Sequence, residues 1–197
     1  LERQGVRMVY HTPKWREQVV QGVAAAQQLG HQENGSVLFQ DVEMEVATFL
    51  RVDLGTLGFV DEYILYADVD VLFMSEVTID DFGATRPRYF TMGSELYGDG
   101  ISTQDPSLGR ENATQLAGNA GVMLVNVDGM RRTHDSFVQW IFSAENMRDG
   151  LAFGVYGPAD QGALNRFYRG KFDVMSWPLV NWKPYWGYCA AAKLVHF

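Results

Sequence analysis

Tyr63-Ile64-Leu65-Tyr66-Ala67 is a nearly continuous apolar run that breaks at Asp68-Val69-Asp70 before Val71-Leu72-Phe73 resumes it. A run without polar alternation is the mark of a strand covered on both faces, and such strands belong to α/β sheets. The rest of the chain reads in the same way. Val6 to Tyr10 predicts a short strand ended by His11-Thr12-Pro13; from Pro13 to Leu29, Trp15, Val19, Val23 and Ala26 recur at helical spacing, with Gly30 as the stop. Asp41 predicts the cap of a second helix through Val42, Val46, Phe49 and Leu50, followed by a turn over Gly55 to Gly58. Arg88 to Met92 and Gly121 to Val127 predict two more strands, and the aperiodic stretch Gly93 to Leu116 between them reads as loop. Asp128 is the expected cap of a helix whose Met130, Phe137, Val138 and Ile141 form an apolar face. Pro158 opens a helix carrying Leu164, Phe167 and Tyr168 to Gly170, and Phe172 to Trp177 returns to strand. No repeat or linker divides these elements. They predict one α/β domain over residues 1–197, with a mixed, mostly parallel central sheet flanked by helices.

Composition narrows the function classes. Of the 197 residues, 47% are hydrophobic and 13% aromatic, enough for a sizeable core. A net charge of -8 argues against nucleic acid as a partner, since affinity for phosphate backbones comes from clustered Lys and Arg. An acidic chain binds phosphate through a metal instead, because hard divalent cations are held by carboxylates. Cys189 is the single cysteine, which excludes an intramolecular disulfide and a multi-Cys zinc site and slightly favours the cytoplasm over the Golgi lumen. No apolar run reaches the roughly 20 residues of a membrane span, and no signal peptide opens the chain. Asn34-Gly35-Ser36 and Asn112-Ala113-Thr114 match the glycosylation sequon, a match that chance readily supplies. The sequence starts at Leu1 and stops at Val195-His196-Phe197 inside a strand pattern, so a fragment truncated at both ends is expected.

Asp68 and Asp70 carry the chemistry. Carboxylates in an apolar stretch are costly without partners. At the C-terminal end of a sheet strand, where α/β proteins place their ligand crevices, the two would project into one space and share a divalent cation. Taken alone, Asp-x-Asp is better explained by a capped turn or a pairing with Arg51 than by a metal, short motifs being common. The order of segments adds more: Phe49-Leu50-Arg51-Val52-Asp53, the Asp-x-Asp strand, Asn119-Ala120-Gly121-Val122-Met123-Leu124-Val125-Asn126, Asp160-Gln161-Gly162-Ala163-Leu164-Asn165, and Val195-His196-Phe197. From about Val6 to Phe197 this succession resembles glycosyltransferase family 8, the retaining enzymes of the GT-A fold.

The resemblance implies a GT-A-like (Rossmann-like) domain that lacks the family's first strand and its C-terminal Gly-x-x-Lys loop. It implies a metal held by Asp68, Asp70 and His196, with Asp68 also touching the donor ribose. Two carboxylates and an imidazole suit Mn2+, with Mg2+ open as the alternative. Asn119 and the pair Asp160-Gln161 look like donor-sugar and acceptor contacts, with Gln161 near the anomeric carbon, and Arg51 either contacts the donor or pairs with the Asp-x-Asp carboxylates. The implied reaction moves a hexose from a nucleotide-sugar donor, a UDP-sugar by resemblance, to a carbohydrate or glycoconjugate acceptor with retention at C1. With no obviously placed nucleophilic carboxylate, attack from the leaving-group face is favoured. Two other readings stay open: a carbohydrate-binding relative that has lost donor binding, and a metal-dependent nucleotidyltransferase. Asn181-Trp182-Lys183-Pro184-Tyr185-Trp186-Gly187 fits a sugar platform or a core plug equally.

Overall fold

The computed structural model describes residues 8–29, 41–94, 118–153, 156, 159–175 and 178–197. Val6, Arg7, Gly30, Pro158, Ser176, Trp177, both sequons and nearly all of the expected loop lie outside these residues. Met8–Tyr10, the described part of the expected first strand, forms no strand.

Helix α1 (Arg16–Gln28) buries Val19, Val23 and Ala26, the positions its spacing marks. Helix α2 (Val42–Phe49) begins where Asp41 accepts the backbone N–H of Glu43 at 2.8 Å and of Met44 at 3.4 Å, and runs into a 3-10 helix over Leu50–Thr56. Strands β1 (Tyr63–Ala67) and β2 (Val71–Phe73) flank the Asp-x-Asp turn, and β3 (Phe90–Ser94) and β4 (Gly118–Asn126) follow. Then come α3 (Val127–Ile141), α4 (Ala144–Arg148), α5 (Ala159–Phe167), β5 (Asp173–Val174) and β6 (Leu194–His196). The cap of α3 is Asn126, whose side chain accepts the Gly129 N–H at 2.7 Å. The expected cap, Asp128, instead lies inside the first turn and pairs with Arg131, because the helix starts directly from the last residue of β4.

The main sheet has the order β1-β4-β3-β5. It is mixed, as expected, but among the described residues it is mostly antiparallel: β4 runs against both β1 and β3, and only β3 with β5 is parallel. The apolar run misled on direction because apolarity reports burial and says nothing of which way a neighbour runs. Burial itself falls on β4, covered from Gly118 through Val125, whereas β1 is half-buried with Leu65 39% exposed. Ile64 and Tyr66 pack with α1, α2, α3 and α5 on one face, while Tyr63 packs into a thinner layer with Phe82, Met175, Val180 and Leu194 on the other.

A separate antiparallel ribbon positions the site. Val71 pairs with His196, Leu72 with Val195 and Phe73 with Leu194, so the end of the chain lies beside the Asp-x-Asp turn.

The 3-10 helix is anchored from its outer side by Asp53, which is 3% exposed. His11 Nε2 and His134 Nε2 each lie 2.6 Å from its carboxylate, and Trp15 Nε1 donates to it at 3.0 Å. Burial alone would raise this carboxyl, but hydrogen bonds from His134, Trp15 and His11 together hold it below its ordinary value. His134 is raised, chiefly by its bond to Asp53. A raised histidine contributes stability that is complete below its unfolded pKa, about 6.5, and is lost as pH climbs through its folded value. Asp53→Asn is therefore expected to lose roughly 2–3 kcal/mol at pH 6 and less at pH 9, read from urea unfolding. Equal losses at both pH values would remove His134 as the charged partner.

Candidate metal and donor site

The site forms where β1 ends. The Asp68 N–H donates to Gly121 O at 2.8 Å, which ties the turn to β4, and Val71 N closes the turn onto Asp68 O at 3.3 Å. Phe197 N donates to Asp70 O at 3.2 Å, locking the end of β6 against the same turn. Asp68, Asp70 and His196 thereby come together, each offering a ligand atom within 4.8 Å of the others. His196 Nε2 is 3.4 Å from Asp70 Oδ1; the imidazole is 8% exposed and the Asp70 carboxylate 49%. The imidazole is thus held from behind while the Asp70 carboxylate opens to solvent, an arrangement that could hold a cation and leave positions for other oxygen donors.

The ring is set by groups the sequence reading assigned otherwise. Asn181 Oδ1 lies 3.0 Å from His196 Nδ1, and Lys183 Nζ approaches the same nitrogen. The two contacts ask for opposite tautomers: a proton on Nδ1 is accepted by the Asn181 carbonyl and leaves the Nε2 lone pair facing the carboxylates, whereas a Lys183 N–H donates only to an unprotonated Nδ1. Asn181 is fully buried and Lys183 is 4% exposed. The signal was their spacing: they alternate with Trp182, which bridges to Val195, so polar residues two apart share one face. The ring also needs Gly121, since a Cβ there would stand 1.9 Å from His196 Cε1.

Beneath the turn lies Arg51, delivered by the 3-10 helix. Its Nη1 donates to Ala120 O at 2.7 Å, Nη2 contacts Asp68 Oδ1 at 3.2 Å, and Nε donates to Thr48 O at 3.2 Å. Nε also lies 2.6 Å from Asp160 Oδ2, a close ionic contact in which the N–H points elsewhere, so that Oδ2 has no hydrogen-bond partner. Tyr66 donates its hydroxyl to Asp68 Oδ1 and places its ring 5.0 Å from the guanidinium carbon. Burial would lower the Arg51 pKa, but Asp160 first, then Tyr66 and Asp68, keep it raised. Asp160 is raised to about 6, by burial first and then by the charge of Asp68, against the pull of Arg51.

Ala120 reaches Arg51 because β4 is irregular there. The register with β3 jumps from Met92–Met123 to Gly93–Asn119, leaving Ala120, Gly121 and Val122 without β3 partners. Such bulges bend a strand and re-aim its groups, and they gather near functional sites. Asn119 Oδ1 accepts Gly121 N at 3.1 Å and Asn181 Nδ2 at 3.0 Å, which connects it to the His196 support. Gln161 Oε1 accepts Ala120 N at 3.0 Å, so the start of α5 is fastened to the same bulge. Asn165 binds Gly118 through both of its amide atoms, at 3.0 and 2.8 Å.

The aromatic segment lies across β6 from Asp68, Asp70 and the His196 ring. Trp182, Pro184, Tyr188, Leu72, Val195 and Phe197 line a groove of about 690 Å³, and Val195 and Phe197 alternate with His196 on the strand, so the groove opens on the opposite face.

No protein-family model and no curated protein matches the sequence. Solved structures match the fold. The galactosyltransferase LgtC, in complex with donor and acceptor sugar analogs, is 20% identical with a TM-score of 0.55, over 77% of this chain and 58% of that one. The apo-form glycosyltransferase GlyE of Streptococcus pneumoniae TIGR4 is 17% identical with a TM-score of 0.52, over 76% of this chain and 36% of that one. Mouse xyloside xylosyltransferase 1 is 14% identical with a TM-score of 0.50, over 91% of this chain and 73% of that one. The chain has the α/β fold of these glycosyltransferases and spans little more than half of LgtC and about a third of GlyE.

Proposed function

We propose that the chain is the donor-binding core of a metal-dependent glycosyltransferase of family 8, moving a hexose from a UDP-sugar to a carbohydrate or glycoconjugate acceptor with retention at C1. The observation that carries this reading is the approach of Asp68, Asp70 and His196 within 4.8 Å, from strands far apart in sequence, in a chain with a glycosyltransferase fold. Two carboxylate oxygens and an imidazole nitrogen suit Mn2+, with Mg2+ as the harder alternative. A bound divalent cation supplies positive charge against the departing diphosphate.

The chain's own residues do the rest. Asp70 and His196 hold the cation, Asp68 holds it and faces the donor ribose, and Arg51 fixes Asp68 from behind. Asn119 sits on the bulge and Gln161 on α5 beside it, where they orient the donor sugar. LgtC, known with donor and acceptor analogs, also has an active-site glutamine that has been changed to glutamate, which supports a role for Gln161 beside the reacting carbon. Asp160 is 4% exposed behind Arg51 and offers no open nucleophile, which favours attack from the leaving-group face over a covalent intermediate.

The test is UDP titration with and without Mn2+, paired with turnover on UDP-hexoses. UDP binding that requires the metal is expected; metal-independent sugar binding without UDP binding would favour a carbohydrate-binding relative, and pyrophosphate release a nucleotidyltransferase. In the same assays Gln161→Ala is expected to lower kcat by about 100-fold and leave UDP affinity within about twofold. Because Ala120 N–H loses its acceptor, stability should fall by about 1 kcal/mol. Unchanged turnover, or an equal loss of UDP affinity, would remove Gln161 from the reaction.

A further inference from the structure

Glu45 sits on α2, less than two helical turns before Arg51, and is 1% exposed. Its neighbours Val46 and Phe49 build the core, and its backbone N–H donates to Asp41 O at 3.1 Å, but among the described residues its Oε1 has no hydrogen-bond partner. A buried carboxyl is expensive where an apolar residue would fill the same space. Helix α2 packs on α5, which brings Asp160. Among the described residues, two buried side-chain oxygens have no hydrogen-bond partner: Glu45 Oε1 and Asp160 Oδ2.

Of the other charged groups on the elements around α2, Glu17 of α1 is exposed to solvent and the rest are engaged elsewhere. On α1, Arg16 pairs with Glu43; on the 3-10 helix, Arg51 holds Asp68 and Asp160, and Asp53 is held by His11, Trp15 and His134. On α5, Arg166 reaches Glu145. The charge that acts on Glu45 is that of Asp160, and with burial as the larger cause it pushes the Glu45 carboxyl up to about 8.

We propose that Glu45 is a positioning residue of the donor site: its carboxyl, in the acid form, is the hydrogen-bond donor for Asp160, and so keeps Asp160 and Arg51 aligned behind Asp68. This rests on the donor-site reading above. Two adjacent carboxyls share one proton more easily than they bear two charges. When the proton leaves, three carboxylates compete for one guanidinium, Asp160 draws Arg51 away from Asp68, and the ribose-facing carboxylate loses its support.

The experiment is a set of pH profiles of kcat and donor KM from pH 6 to 9.5 for the wild type, Glu45→Gln and Glu45→Leu, each checked for folding by thermal melts. The wild type should lose activity on an alkaline limb centred near pH 8. Glu45→Leu should lose about tenfold in kcat/KM for the donor at pH 7, with metal-dependent UDP binding weakened and not abolished, since Asp70 and His196 remain in place. Glu45→Gln, which keeps a donor and cannot ionise, should restore most of that loss and abolish the alkaline limb. An unchanged limb in Glu45→Gln, or a wild-type kcat/KM in Glu45→Leu, would overturn the proposal. If the wild type turns over no UDP-sugar, the donor-site reading fails, and the carboxyl pairing is decided by stability. A raised acid loses stability as pH rises from its unfolded value to its folded one. The melting-temperature advantage of Glu45→Gln over wild type should therefore widen from pH 5 to pH 8, and a constant difference would overturn the pairing.

Discussion

Asp70→Asn is expected to reduce glycosyl transfer by at least about a thousandfold while leaving the protein folded. A catalytic cation supplies several kcal/mol of charge stabilisation as the diphosphate departs, and each 1.36 kcal/mol is a factor of ten in rate. Asparagine keeps the shape of the side chain and removes an anionic ligand. The same variant should weaken UDP binding in the presence of Mn2+ and bring it to the metal-free level. Stability should move by less than about 0.5 kcal/mol, since the carboxylate is half exposed and its nearest ionic contact is the 3.4 Å approach to His196 Nε2. Retained turnover with a large drop in melting temperature would make Asp70 a structural carboxylate and end the metal-site reading.

Much of this site was legible in the sequence because its parts are local signals. The Asp-x-Asp interruption of an apolar run marked where β1 ends, though not that β2 follows it, and Asp41 announced the start of α2 through an ordinary cap. Strand direction was not legible: β1 and β4 are both apolar, and only the ladder tells that they run antiparallel. The cap of α3 shifted from Asp128 to Asn126 because strand and helix share a boundary residue, which periodicity places no better than a residue or two. The support behind His196 was visible only as aromatic density. Asn181 and Lys183 turn inward there because β6 and the Trp182 bridge share their hydrogen bonds, with His196 N donating to Trp182 O at 2.8 Å. Glu45 was hidden for a simpler reason: an acidic residue in an amphipathic helix reads as solvent-facing, and its burial follows from α5 packing across α2.

Arg51→Met is expected to destabilise the chain by about 3–5 kcal/mol at pH 8, the range for removing one partner of a buried ion network. Methionine matches the arginine stem as far as Nε and fills most of the apolar space, so most of the loss does not come from a cavity. It comes from Asp160, whose side chain is 5% exposed and whose compensating charge is the guanidinium, and from Ala120 O, which loses its donor in the bulge. Asp160 already lies at about 6 with Arg51 present, and without that charge it rises further. An acid raised above its unfolded value loses stability as pH climbs from that value, about 3.8, to the folded one. The wild type completes this loss near pH 6, whereas the variant continues to lose stability above it. The difference between them should therefore be smaller at pH 5.5 than at pH 8, in urea unfolding at both. Arg51→Lys should fall between the two at pH 8, because an ammonium keeps the charge but cannot fork to Asp68, Asp160 and Ala120 O together. Transfer should fail in Arg51→Met even at pH 5.5, where the chain is folded, since Asp68 has then lost the group that fixes it. A loss under about 1 kcal/mol that is the same at both pH values would show that Arg51 faces the donor and that Asp160 does not depend on its charge.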